Sequence, residues 1–238
     1  GRRPARSQKR HAEARMTGAA NIRGGEPRDW IVCGWFTEDD MYRPLAHQLA
    51  ASLDEIGVPY EFVPVPRRPG GHQANTMAKA GQVLAAMDRH PGRTILVCDV
   101  DCVAKENPLP LLEGSGDIAV RLVARRLKTG SVNVSVRSGY IVVRPTEPAR
   151  RFIEAWADLS KVAEWGDVDQ TTFALAMGTV PGCAISHLDP ALLTSLFDHD
   201  AANRRFGTRI RGWQREGAYL LRSITRSLVG WPRKPATS

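Results

Sequence analysis

Cysteine is scarce in this sequence, and the scarcity excludes an architecture held together by disulfides. Cys33, Cys98, Cys102 and Cys183 are the four cysteines among 238 residues, and most of them lie inside apolar runs, as reduced core thiols do. Cys98 and Cys102 are close in sequence, but no second Cys or His pair stands at zinc-site spacing. We therefore predict buried thiols rather than disulfides or a zinc site.

Long apolar runs are also missing. No run approaches the roughly 20 residues that a membrane-spanning helix needs. The first 20 residues are charged and lack the apolar segment of a secretory signal. These features favour a cytoplasmic protein, and 238 residues with 42% hydrophobic composition favour one α/β domain with a sizeable core.

Acidic residues are few at both ends of the chain. Residues 1–15 hold six Lys/Arg against one Glu, and residues 201–238 hold nine against one, whereas the whole chain carries +8. Residues 16–200 are therefore mildly acidic, unlike the body of a uniformly basic nucleic-acid binder. We expect residues 1–27 to form a disordered basic arm, with Met16 as a candidate start. Residues 28–200 then form the folded domain, and residues 201–238 a basic C-terminal extension.

The C-terminal extension has the pattern of an amphipathic helix over residues 211–229. A helix would place four arginines in one stripe and a set of apolar residues opposite: Arg211, Arg215, Arg222 and Arg226 against Trp213, Leu220, Leu221, Ile224 and Leu228. Two interpretations stay open. Either the apolar face packs on the domain and the arginines are solvated, or the helix lies on an anionic membrane surface. Gly217 lies inside this pattern and weakens the prediction of an unbroken helix.

Apolar runs and helical periods alternate along the first half of the folded domain. We predict strands at residues 30–36, 60–65 and 93–98, and helices at residues 39–56 and 73–87. This order is typical of a parallel sheet with right-handed crossovers. Further strands at residues 117–123, 131–136 and 140–143, with a turn at Thr129-Gly130, indicate antiparallel pairing. Helices follow at residues 147–163 and 170–177, so we expect a mixed, mostly parallel sheet flanked by helices.

Two carboxylates, Asp99 and Asp101, stand directly after the third predicted strand. Sheets of this kind bind ligands at the carboxyl ends of their strands. A carboxylate next to a buried strand costs solvation free energy unless it is paired or bound to a metal. Oxygen ligands suit Mg²⁺ or Mn²⁺, so we predict a divalent-cation site that neutralises a diphosphate.

With these motifs in this order, the chain resembles the GT-A-fold glycosyltransferases, the nucleotide-diphospho-sugar transferases with a DxD motif. The resemblance covers roughly residues 30–200 and is carried by residues 37–42, 75–79, 95–101 and 138–146 and by Asp169-Gln170. It implies a GT-A (Rossmann-like) fold and a metal-dependent transfer from a nucleotide-diphospho-sugar donor. The implied acceptor is a saccharide, a lipid or a protein. No specific nucleic acid is expected, and the C-terminal helix suggests peripheral contact with the inner face of a membrane.

The resemblance also implies a task for each residue of the site. Thr37, Tyr42 and Asn75 would bind the nucleotide, Lys79 would add positive charge near the diphosphate, and Asp99 and Asp101 would hold the metal. Ser138 and Gly139 would let the backbone approach the sugar, Asp169 would contact its hydroxyls or assist the acceptor, and Gln170 would lie beside it. The family often supplies a third metal ligand. His199 is preferred over His187, although no His-x-x-Gly pattern follows either of them.

Ordinary structural roles compete with several of these assignments. Lys79 is also compatible with a solvated position on a helix, and Ser138-Gly139 with a plain turn before a strand. Asp169 is equally compatible with a helix N-cap, which needs no catalytic role. Tyr42 is as compatible with packing on the first helix as with stacking on a base.

Two other functions use the same residues differently. In a haloacid-dehalogenase-like phosphatase, Asp99 would be the nucleophile and Asp101 a general acid. That family carries its first motif on the first strand, whereas here two β-α units precede it. A non-catalytic nucleic-acid-binding protein would rely on the basic ends. No zinc finger, helix-turn-helix or RNP-like aromatic pattern accompanies them.

Overall fold

The computed structural model describes residues 20–69, 71–126, 128–162 and 168–199. Most of the predicted N-terminal arm, with Met16, and the predicted C-terminal amphipathic helix lie outside these residues. The strands are β1 Ile22–Gly24, β2 Trp30–Thr37, β3 Tyr60–Val65, β4 Thr94–Cys98, β5 Val103–Ala104, β6 Ile118–Arg126, β7 Val132–Val143, β8 Ile185–His187 and β9 Phe197–Asp198. The helices are α1 Tyr42–Glu55, α2 Gly71–Met77, α3 Lys79–Arg89, α4 Leu109–Leu112, α5 Glu147–Val162, α6 Asp169–Thr179 and α7 Pro190–Leu196.

Seven of these strands form one sheet in the order β1-β3-β2-β4-β7-β6-β8. β3, β2 and β4 are parallel, as the β-α-β-α-β pattern predicts. β7 runs antiparallel to both β4 and β6, and β8 is parallel to β6. The predicted mixed, mostly parallel sheet in a single α/β domain is confirmed.

Each face of the sheet is covered by a separate hydrophobic layer. Leu45, Leu49 and Leu53 of α1 are fully buried on one face, where the helical period of the sequence predicts them. The other face packs against α3, α5 and α6, with Trp156 and Phe173 fully buried between them. The sheet is thus covered on both faces.

The boundary predicted for the N-terminal arm is wrong. Ile22–Gly24 forms β1, which pairs antiparallel with β3, so ordered structure begins before residue 28. The reason is partly electrostatic: Glu61 of β3 is buried, and Arg23 and Asn21 hydrogen-bond to its carboxylate. A strand of three residues in a charged stretch has too few alternating apolar positions to be seen as a pattern.

Two further elements differ from the prediction. The helix expected over residues 73–87 is divided into α2 and α3 at Ala78. The two strands expected at residues 131–136 and 140–143 are one strand, β7, whose register with β6 shifts beside Val120. Three cysteines are buried as predicted, and Cys183 is half-buried. None of the described helices is both long and apolar enough to cross a membrane.

Candidate active site

A cavity of about 330 Å³ opens at the carboxyl ends of β2, β3 and β4, the edge where parallel sheets bind ligands. Both Asp99 and Asp101 lie on its wall, with Thr37, Tyr42, Asn75 and Lys79. The remaining wall is built from Trp35, Phe36, Asp39, Val65, Pro66, Arg67, Arg68, Thr76, Ala78, Gln82 and Val100. The cavity therefore brings together the residues predicted to bind the nucleotide and the two carboxylates predicted to bind the metal.

One end of the cavity is organised by Asp39. Its carboxylate accepts the Thr37 hydroxyl at 2.6 Å and the backbone N–H groups of Met41 and Tyr42 at 3.0 and 2.7 Å. These bonds satisfy the first N–H groups of α1, which begins at Tyr42. Burial, and then the charges of Asp101, Asp39 and Asp99, raise the pKa of Tyr42 to about 12, so its phenol stays protonated. Asp39 therefore fixes the loop that presents Thr37 and Tyr42.

The two acidic residues of the DxD triplet differ in environment. Asp99 directly follows β4, and its backbone N–H donates to the Gly139 carbonyl at 2.9 Å. Asp101 is exposed at the cavity wall, two residues further on. Desolvation by surrounding protein atoms and the charge of Asp99 raise the pKa of Asp101 to about 6, against the effect of Lys79. A cation bound here would relieve this repulsion, so the donor set fits Mg²⁺ or Mn²⁺.

Lys79 is buried, which rules out the solvated alternative. Its ammonium lies 2.9 Å from Asp99 Oδ1, 3.3 Å from Asp169 Oδ2 and 3.1 Å from the Ser138 carbonyl oxygen. Burial alone would lower the pKa of Lys79, but Asp99 and Asp169 outweigh burial and raise it. Lys79 therefore stays charged and joins two carboxylates that are 70 residues apart in sequence.

Asp169 is the first residue of α6 but is not its N-cap, so that alternative is also ruled out. The N-cap is Val168, whereas the Asp169 carboxylate accepts the Ser138 hydroxyl at 2.5 Å. The backbone carbonyl of Asp169 accepts the Trp156 indole N–H at 3.1 Å, and this bond fixes the start of α6 against α5. Asp169 is only 4% exposed, and it is fixed both through its carboxylate and through its backbone carbonyl.

An irregularity in β7 brings Ser138 next to Asp169 and Gly139 next to Asp99. Val120 pairs with Ile141, but the next residue, Arg121, pairs with Arg137, so the β7 residues between them bulge from the β6 ladder. Bulges often re-aim side chains beside functional sites. A Cβ on Gly139 would lie 3.3 Å from Asp99 Oδ2, so glycine allows this close approach. The stretch is not the plain turn that was the alternative interpretation.

The remaining predicted residues lie further from the cavity. His199 Nδ1 is 3.1 Å from the Tyr140 hydroxyl, and Tyr140 pairs with Cys98, the residue before Asp99. His187 ends β8, two strands beyond β7, where its Nδ1 accepts the Leu122 N–H. Position therefore favours His199 over His187. Gln170 is half-buried in α6 and does not line the cavity.

A second group of possible metal ligands, Cys33, Glu61 and His90, lies at the opposite edge of the sheet. Their ligand atoms are within 4.8 Å of one another. The Glu61 carboxylate is, however, already bonded to Arg89, His90, Arg23 and Asn21. Burial raises the pKa of the Cys33 thiol to about 12 and keeps it protonated. The contacts of Glu61 therefore fit a buried carboxylate that its neighbours neutralise.

Several cavity residues carry no prediction from the sequence. Arg67 and Arg68 lie in a Pro/Arg/Gly stretch that predicts only a turn, although Asn75 Oδ1 accepts the Arg68 backbone N–H and shapes it. Trp35 lies in an apolar run that predicts only a strand. Asp39 carries one usable signal, because an Asp shortly before a helix is a typical capping residue.

Comparisons with known proteins bear on the fold alone. No protein-family model matches the sequence, and no curated protein matches it. The chain is similar to the solved structure of a glycosyltransferase involved in the glycosylation of the major capsid of PBCV-1. The TM-score is 0.52, the identity is 14%, and the match covers 74% of this chain and 97% of that one. The glycosyltransferase GlyE of Streptococcus pneumoniae TIGR4 also matches, with a TM-score of 0.46, 13% identity and coverage of 67% and 45%. The GT-A-like fold implied by the sequence resemblance is confirmed.

Proposed function

We propose that the protein is a metal-dependent glycosyltransferase that moves a sugar from a nucleotide-diphospho-sugar to an acceptor. The observation that carries the proposal is the contact of Lys79 with both Asp99 and Asp169. This contact joins the cavity wall to a second carboxylate, that of the buried Asp169 on α6. A donor site and a catalytic carboxylate are then adjacent, as a transfer reaction needs.

The cavity offers a separate environment for each part of the donor. Trp35, Phe36 and Tyr42 supply apolar and aromatic surface for a nucleoside. Asp99 and Asp101 would hold Mg²⁺ or Mn²⁺ between them, and His199 is the candidate third ligand. The bound cation would stabilise the negative charge of the departing nucleoside diphosphate. Asn75, which lies on the cavity wall, would contact the nucleotide.

The sugar would lie beyond Asp99, over Ser138 and Gly139. Asp169 would hold or deprotonate a hydroxyl there, and Lys79 would keep both carboxylates in place rather than contact the diphosphate directly. Gln170 would act next to Asp169. Similarity in fold to glycosyltransferases supports the class of reaction and leaves the donor sugar and the acceptor to experiment.

Ligand-induced stabilisation tests the donor site. The melting temperature is measured with nucleoside diphosphates and nucleotide-sugars, with and without Mn²⁺, for wild type and Asp101→Asn. Asp158→Asn is the matched control, because Asp158 is 73% exposed on α5. We expect nucleotide stabilisation that needs Mn²⁺ and is lost only in Asp101→Asn. Stabilisation by phosphate mimics with Mg²⁺, but by no nucleotide, would instead favour the phosphatase mechanism.

A further inference from the structure

Two arginines face each other across the β6–β7 ribbon. Arg121 and Arg137 are directly opposite in the register, where side chains project to the same face of the sheet. Like charges in this arrangement destabilise a strand pair. The next pair, Leu122 and Val136, points to the other face and packs into the core with α3, α5 and α6.

The charge of this arginine pair is not neutralised within the described residues. Neither Arg121 nor Arg137 makes an ion pair there, and Arg121 Nε is a buried donor without a hydrogen-bond partner in that part of the chain. A buried unsatisfied donor is costly, more so when it belongs to a charged group. Such a group calls for an explanation, and a bound ion is one of the usual ones.

The arginine pair lies at the active-site edge of the sheet but outside the donor cavity. β4 ends at Cys98, opposite Tyr140, so the part of β7 before Tyr140 extends past it on the side of Asp99. Arg137 immediately precedes Ser138, whose hydroxyl binds Asp169. The cavity wall contains no residue of β6 or β7. The pair therefore lies near Asp99 along β7 but outside the donor cavity, so a group bound there would belong to the acceptor rather than to the donor.

We propose that Arg121 and Arg137 form an anion-binding subsite that receives a phosphate or carboxylate group of the acceptor. The inference rests on the proposed function only in assigning the bound anion to the acceptor. Guanidinium groups bind such oxyanions through paired N–H donors, and a bound anion would satisfy Arg121 Nε and cancel the repulsion across the ribbon. The subsite thus selects an anionic acceptor over a neutral one.

Anion-dependent stabilisation tests this subsite. The melting temperature of the full chain is measured against inorganic phosphate, and separately acetate, at constant ionic strength with EDTA. We expect saturable stabilisation of wild type by at least one of the two anions, and the responding anion identifies the acceptor group. Arg137→Gln should weaken that binding by about tenfold or more, without lowering the melting temperature in chloride, because the repulsion is gone.

Arg126→Gln is the matched control, since Arg126 lies further along β6, is exposed and is paired with Val132. It should respond like wild type. Arg137→Lys keeps the charge and should bind the anion more weakly than wild type, so it serves if Arg137→Gln does not fold. An unchanged anion response in both Arg137 variants, or an equal loss in Arg126→Gln, would overturn the subsite.

Binding of nucleoside diphosphates with Mn²⁺, measured on the same variants without EDTA, separates the two proposals. Intact nucleotide binding with an unchanged anion response in Arg137→Gln overturns the subsite alone. Absent nucleotide binding in wild type overturns the donor site, while loss of anion binding in Arg137→Gln still supports the arginine pair as an anion site.

Discussion

Replacing Lys79 with Met removes a buried cation from between two carboxylates. The Lys79 and Asp169 side chains are 8% and 6% exposed, so Asp169 would keep a buried charge without a counter-ion. Breaking a buried ion pair in this way costs about 3–5 kcal/mol. Asp99 adds little because its side chain is 44% exposed and solvent screens it. We therefore expect a loss of about 3 kcal/mol, or roughly 6–12 °C in melting temperature for a chain of this size.

Urea unfolding of a double-mutant cycle measures this coupling. Asp169→Asn removes the second charge, so the double variant with Lys79→Met should be clearly more stable than the sum of the two single losses predicts. Lys161→Met is the control, because Lys161 is 74% exposed and should change stability by less than about 0.5 kcal/mol. Strictly additive losses would refute a coupled buried network.

Three further predictions concern Trp35 on the cavity wall, the close approach of Gly139 to Asp99, and the buried Glu61 at the opposite edge of the sheet. Trp35→Ala should weaken nucleoside diphosphate binding, measured calorimetrically, by about tenfold if base stacking is worth about 1–3 kcal/mol. Gly139→Ala should weaken Mn²⁺-dependent nucleotide binding, because its Cβ displaces Asp99, whereas Gly81→Ala, which meets no atom within 4 Å, should not. Burial opposes ionisation of Glu61, but Arg89, His90, Arg23 and Asn21 outweigh it and lower its pKa from 4.5 to about 2. The stability contributed by Glu61 is therefore complete above about pH 4.5 and lost toward pH 2, so urea unfolding should show Glu61→Gln approaching wild type across that range.

Each of these three has an outcome that contradicts it. If Trp35→Ala binds nucleoside diphosphates as tightly as wild type, the nucleotide base does not stack on Trp35. Equal behaviour of Gly139→Ala and Gly81→Ala would mean that the close approach to Asp99 is not needed. A stability difference for Glu61→Gln that stays constant from pH 6 to pH 2 would contradict the ion-pair account of Glu61.

The order of the main strands and helices could be predicted because its signals are local. Leu45, Leu49 and Leu53 repeat at helical spacing, and the run that ends at Cys98 is long enough for a buried strand. The carboxylates that follow then fall at a known edge of the sheet. The position of Asp99 and Asp101 on the cavity therefore follows from chain order alone.

The contacts that join the site depend on residues far apart in sequence. Lys79, Ser138 and Asp169 meet through the bulge in β7 and through the Trp156 bond to α6. Neither has a periodic signal, and Asp169 before a helix has the same local pattern as an N-cap. β1 was missed for a similar reason, because its partner Glu61 lies 38 residues from Arg23.

Product release from a nucleotide-sugar tests the central proposal most directly. Wild type, Asp101→Asn, Asp169→Asn and the control Asp158→Asn are incubated with a panel of nucleotide-sugars and candidate acceptors, with and without Mn²⁺, and released nucleoside diphosphate is measured. The account predicts Mn²⁺-dependent release by wild type and Asp158→Asn, loss in Asp101→Asn and a drop of at least about a hundredfold in Asp169→Asn. Release that is independent of the metal, or equal in Asp169→Asn and wild type, would contradict it.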